Sequence, residues 1–116
     1  MAIIVHTRYP DELRVQIRSG IDSQEINTWQ YDADGDFTSM TVLWKNRAWF
    51  RPYIESDNIV FAILGRKDSL LTVTEYAYYH SRFAEMLMAH FSNDITEIIM
   101  QTPFTNSKDT QKIERL

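Results

Sequence analysis

Two residues on one amphipathic segment have the types used for proton transfer, His80 and Glu85. An imidazole within hydrogen-bond reach of a carboxylate can act as the general acid and base of a small ribonuclease or isomerase. A small enzyme or ligand-binding domain working through His80 and Glu85 is therefore one reading. The simpler expectation is a histidine satisfied inside the core, because His80 lies on an apolar stripe. His90 follows His80 by ten residues. At about 100° and 1.5 Å per helical residue, the two would sit roughly 80° and 15 Å apart, too far to share a metal ion. Helical zinc motifs need histidines at i and i+4, and no such pair occurs. The sequence also lacks a serine nucleophile elbow and a phosphate-cradling glycine loop, and it has only three glycines. The expectation is a protein that is not an enzyme and carries no cofactor.

The run Asp32-Ala33-Asp34-Gly35-Asp36 is similar to the opening of a calcium-binding loop, where hard cations collect carboxylate oxygens around a glycine turn. The register does not continue. With Gly35 at the glycine position, Gln30 stands at the first ligand position and Thr41 at the twelfth, where a bidentate glutamate is needed. The reading is a plain acidic hairpin turn and no metal.

Charge is placed unevenly. Between Arg18 and Lys45 lie five acids, Asp22, Glu25, Asp32, Asp34 and Asp36, and no base, while Lys45, Arg47 and Arg51 follow closely. An acidic chain, with net charge −4 and pI near 5.3, does not offer the clustered lysines and arginines that bind a phosphate backbone. No nucleic acid partner is expected, and the three bases read as a solvated turn. The five acids suit a basic protein partner. Aromatic anchors are available beside them, since Tyr76, Tyr78, Tyr79, His80 and Arg82 wrap too far around one helix for all to face inward. Exposed tyrosines supply contact area with a polar tip at modest entropic cost. Trp29, Trp44 and Trp49 have two uses open to them, with packing on the sheet the favoured one. In the interaction reading, Trp29, Tyr31 and Tyr78 are the anchoring candidates.

The elements that must position these groups follow from spacing. Ile3–Val5 reads as a short first strand, and Tyr9-Pro10-Asp11-Glu12 puts a proline and two acids at a helix start. The segment 11–19 is ambiguous, because Leu13, Ile17 and Ile21 repeat at helical spacing while Leu13, Val15 and Ile17 alternate. Helix is chosen, with Gly20 as its stop. From Thr28 the period becomes two, with Trp29 and Tyr31 before an Asp34-Gly35 hairpin turn, and Phe37, Met40, Val42 and Trp44 after it. A second turn near Lys45–Arg47 leads to Ala48–Arg51, where Pro52 marks an edge position or the strand's end. Ile59–Leu64 is apolar throughout and reads as a central strand. Thr72 with Glu75 forms a capping box opening a helix over 73–91. Val73, Tyr76, Ala77, His80, Ala84, Leu87 and Phe91 share one stripe, with Glu75, Arg82 and Glu85 pointing elsewhere. Ile95–Met100 is a last strand or a short helix.

The predicted fold is α+β, a mainly antiparallel sheet of four to six strands against one long helix, with a short N-terminal helix. Residues 1–103 form one domain and 104–116 a polar tail. At 116 residues, 44% hydrophobic and 13% aromatic, the chain has material for one core without a staple. It has no cysteine, hence no disulfide framework, which suits the cytoplasm. No stretch nears the roughly 20 apolar residues that span a bilayer. A monomer or homodimer is expected.

A Trp-rich hairpin region followed by the helix Tyr76-Ala-Tyr78-Tyr79-His80-Ser-Arg82-Phe83-Ala-Glu85-Met-Leu87 in a small acidic chain resembles, in kind, the immunity proteins of contact-dependent inhibition and other polymorphic toxin systems of bacteria. The resemblance implies binding and neutralising a cognate toxin, often a basic nuclease, and carries over no functional residues. A third reading is an accessory protein that dimerises through a sheet edge.

Overall fold

A computed structural model describes residues 2–103, and the tail expected at 104–116 lies outside them. Strands β1 (Ala2–His6), β2 (Trp29–Tyr31), β3 (Phe37–Ser39), β4 (Ala48–Ile54), β5 (Asn58–Gly65) and β6 (Glu97–Met100), with helices α1 (Pro10–Asp22) and α2 (Val73–Phe91), make an α+β fold. The six strands form one sheet in the order β2-β3-β4-β5-β1-β6, and every neighbouring pair is antiparallel.

Register decides what the helices cover. Ile3 pairs with Phe61, Val5 with Ile59, Phe50 with Ile63 and Phe37 with Phe50, so these side chains share one side of the pleat. Leu13 and Ile17 of α1 and Tyr79, Phe83 and Leu87 of α2 join them in a single buried cluster. Both helices therefore lie on the same side of the sheet. The expectation of a central strand at 59–64 is met by β5, which pairs with β4 and β1 and buries Ile59 through Ile63.

Several local expectations change. Gly20 does not stop α1, which runs on to Asp22; Gln24, with φ 65°, makes the left-handed exit instead. Gly20 serves close packing, because a Cβ there would lie 2.8 Å from Ile26 Cδ1. The Asp34-Gly35 turn is wider than a two-residue primed turn, spanning 32–36. Gly35 takes φ 81° and its N–H bonds the Asp32 carbonyl at 3.0 Å. Met40, Val42 and Trp44 do not extend β3, which ends at Ser39; 41–47 is a turn. Pro52 lies inside β4 at no cost to a ladder. Glu55 N–H bonds Asn58, so alternate positions bond β5 and Pro52 points away, past the end of β3, which meets β4 only at Phe37–Phe50.

The capping box of α2 is present as read, Thr72 Oγ1 accepting from Glu75 N–H and Glu75 Oε1 from Thr72 N–H, each at 3.0 Å. Its apolar stripe is rotated from the one expected. Ala77 is exposed, while Tyr79, Phe83, Met86 and Glu75 are buried. Glu75 tolerates burial because Arg66 Nη2 lies 3.1 Å and Arg47 Nη1 3.6 Å from its Oε2. Residues 97–100 form strand β6, not a helix.

Candidate functional site

His80 and Glu85 do not converge. His80 is 3% exposed, stacked on Tyr76 at 3.7 Å and edge-on to Phe50 at 5.1 Å. Its Nδ1 lies 2.9 Å from the Tyr76 carbonyl, so the neutral ring donates there, and Nε2 is buried without a hydrogen-bond partner. Burial pushes its pKa down to about 4 against the bond to Tyr76. Glu85 is solvent-facing on another side of α2, paired with Arg82 at 3.2 Å. The acid/base pair is thus absent, and the core reading of His80 stands.

The acid-only segment divides. Asp36 is 4% exposed and held bidentately by Arg51 at 2.8 and 3.1 Å, a contact that raises the arginine's pKa, so it contributes no open charge. The carboxylates of Asp32, Asp34 and Asp36 lie within 4.8 Å of one another. Three of their six oxygens are already engaged: Asp32 Oδ1 accepts the N–H groups of Asp34 and Asp36 at 3.0 Å each, and Arg51 occupies both oxygens of Asp36. This is a self-capped turn bound to β4, a poor fit to a cation. Asp22, Glu25, Asp32 and Asp34 remain exposed, with Asp22 accepting the Tyr31 hydroxyl at 2.6 Å.

Of the anchoring candidates, Trp29 is excluded as a free contact. It is 3% exposed, edge-on to Phe83 at 4.9 Å and Tyr79 at 5.7 Å, as the packing reading of the tryptophans expected. Tyr31 is half-buried under Arg18, whose guanidinium lies 4.5 Å over the ring. Tyr78 belongs to a surface that spacing alone did not disclose.

That surface is built where the turn 41–47 meets α2. The Trp44 and Lys45 N–H groups bond the Thr41 carbonyl at 3.0 and 2.9 Å, closing the turn. Thr41 Oγ1 lies 2.7 Å from the Tyr78 hydroxyl, and the Trp44 indole stacks on the Tyr78 ring at 4.2 Å and 11°. Tyr79 donates its hydroxyl to the Trp44 carbonyl and accepts from Arg47 N–H at 3.3 Å. Guanidiniums continue the stack, Arg47 at 5.4 Å over Trp44 and Arg82 at 5.9 Å over Tyr78. Held this way, the turn projects Val42, 90% exposed, and Leu43, 71% exposed. Between it and α2 runs a groove of about 510 Å³ lined by Val42, Leu43, Trp44, Tyr78, Met86 and Ala89, with Arg82, Glu85 and His90 also on its walls.

The Tyr79 hydroxyl is the group on which the turn depends. Tyr79→Phe leaves the Trp44 carbonyl and Arg47 N–H without it, and the expected loss is about 2 kcal/mol of stability. Faster amide exchange at Trp44 and Arg47 than at β5 will accompany that loss; unchanged exchange in the turn would refute the role.

No helix among the described residues is long and apolar enough to cross a membrane. In comparisons with known proteins, the chain matches no family model, no curated sequence and no solved structure.

Proposed function

We propose that this chain is a non-enzymatic protein-binding domain of the immunity type, a cytoplasmic protein that neutralises a cognate, basic toxin domain by binding it. The observation that carries the reading is the pair Val42 and Leu43, both exposed on a turn fixed by Tyr78 and Tyr79. Apolar side chains held out on a pinned turn lose little freedom on association, which favours their use as contacts. The exposed acids Asp22, Glu25, Asp32 and Asp34 would steer a basic partner and raise its association rate at low salt. The separation of His80 from Glu85 removes the motive for the catalytic alternative. Dimerisation through the edge strand β6 has less behind it, since that strand has four residues and offers a short ladder.

The test is a search of the genes beside this one for a basic toxin domain, co-expression of that domain with this chain, and calorimetry on the pair. Leu43→Asp is expected to weaken the complex about tenfold or more, since it places a charge in a contact that excludes water. Asp32→Lys with Asp34→Lys is expected to slow association at low salt and to leave dissociation nearly unchanged. Absence of such a toxin, or its failure to bind, would sink the immunity reading.

A further inference from the structure

The groove beside Val42 and Leu43 does not stand alone. A second depression, where α1 ends, is lined by Ser19, Gly20, Ser23 and Glu25 from one side and by His90, Phe91 and Asp94 from the other. It shares His90 with the groove. A third, near the start of α1, is walled by Arg8, Tyr9 and Glu12 and shares Gln16 and Asp94 with the second. The shared residues place the three side by side, a row of depressions, or valley, that runs from the turn 41–47 past the last turn of α2 to the first turn of α1. The stretch from the level of Tyr78 to that of Asp94 is roughly 24 Å at 1.5 Å per helical residue. That holds about seven residues of extended chain.

Two independent features give the valley a sign. Four carboxylates line it, Glu12, Glu25, Glu85 and Asp94, against two guanidiniums, Arg8 and Arg82. Arg82 is committed to Glu85 at 3.2 Å, and Arg8 lies 5.7 Å over the Tyr9 ring, so Glu12, Glu25 and Asp94 have no ion-pair partner among the described residues. The middle depression is also bordered by the C-terminal ends of both α1 and α2, the negative ends of their helix dipoles. Neither last turn carries a lysine or an arginine of its own.

We propose that the valley seats an extended segment of the partner protein that bears lysine or arginine at its centre and an aliphatic or aromatic side chain at one end. The basic side chain sits between the two helix ends near Glu25 and Asp94. The apolar one enters the groove between Leu43 and Met86, against the Trp44–Tyr78 stack. This deepens, and rests on, the protein-binding reading above.

The probe is a phage-displayed library of random ten-residue peptides selected on the full chain, with each selected peptide resynthesised and titrated by fluorescence anisotropy. The expected consensus is an apolar residue spaced a few positions from lysine or arginine, with affinity that falls as salt is raised. Ala89→Trp fills the groove from an exposed helix position, and Glu25→Lys with Asp94→Lys reverses the middle. Each is expected to weaken peptide binding about tenfold or more, while Asp68→Lys, at an exposed position that lines none of the three depressions, leaves it unchanged. Circular dichroism of each variant establishes that the fold is retained. Acidic or wholly apolar consensus peptides, or full binding to the Ala89→Trp chain, would overturn the proposal. The two readings fail differently. A toxin domain that binds the Ala89→Trp chain at full strength removes the valley and keeps the immunity function, whereas a chain that binds basic peptides but no toxin keeps the valley and removes the immunity function.

Discussion

Phe83→Ala is expected to lower the unfolding free energy by about 4 kcal/mol, in the middle of the range for deleting a buried aromatic ring. Phe83 is fully buried, with ring centroids of Trp29, Phe37, Phe50 and Phe61 at 4.9, 5.8, 4.8 and 4.8 Å. Those four belong to β2, β3, β4 and β5, so one side chain of α2 touches four of the six strands. The cavity left by alanine cannot close easily, because its walls brace each other, Trp29 against Phe50 at 6.3 Å and Phe37 against Phe61 at 6.1 Å. A loss of that size is a large part of the 5–15 kcal/mol typical of a domain, so the midpoint should fall by roughly 15 °C. Phe83→Leu, which keeps most of the volume, should cost about 1.5 kcal/mol and remain measurable if the alanine variant does not fold. Urea titration decides the matter. A cost for alanine below that of leucine would mean that the ring is not the centre of the core.

Acidification is expected to destabilise the protein through His80, and the direction follows from its tautomer. With Nδ1–H donated to the Tyr76 carbonyl, a second proton must go to Nε2, which is buried without an acceptor beside the rings of Tyr76 and Phe50. The unfolded chain takes that proton near pH 6.5, while the folded chain resists it to about pH 4. Between these values the unfolded state binds more protons, so stability is full above about pH 6.5 and declines as pH falls toward 4. The total is on the order of 3 kcal/mol, at 1.36 kcal/mol per pH unit of separation. His80→Leu has no proton to gain there and should flatten the profile between pH 6.5 and 4.5. Urea midpoints measured across that window test it, and equal slopes for the two proteins would exclude His80 as the cause.

What was legible in the sequence was legible where chemistry is local. The capping box depends on two residues three apart, and the apolar run of β5 on six in a row, and both elements appear where they were read. The burial of Glu75 was hidden because it depends on Arg66 and Arg47, from two other segments. The stripe of α2 was misplaced for a related reason. Tyr79 and Phe83 face the core because Trp29, Phe50 and Phe61 stand opposite them, which helical spacing alone does not say. The acid segment looked uniform as text, yet Arg51 removes Asp36 from it. Met40 to Trp44 alternated like a strand, and the turn replaced it because Thr41 and Trp44 find their partners on Tyr78 and Tyr79, more than thirty positions away. The exposed Val42 and Leu43 became visible only with that turn.

The order β2-β3-β4-β5-β1-β6 has a consequence for synthesis. Strand β1 is made before β5 and β6 but lies between them, and its Ile4 must meet Ile99, 99 − 4 = 95 positions on. At about 5–20 residues per second, Ile3, Ile4 and Val5 wait roughly 5 to 20 s before both neighbours exist. During that interval a β-branched segment with at least one edge open is a substrate for chaperones and for pairing with other nascent chains. Pairing so distant in sequence also slows the final closure. The cell's cost for this sheet order therefore falls on the birth of the molecule, and the yield of folded protein should respond to expression rate more than the stability of the finished domain would suggest.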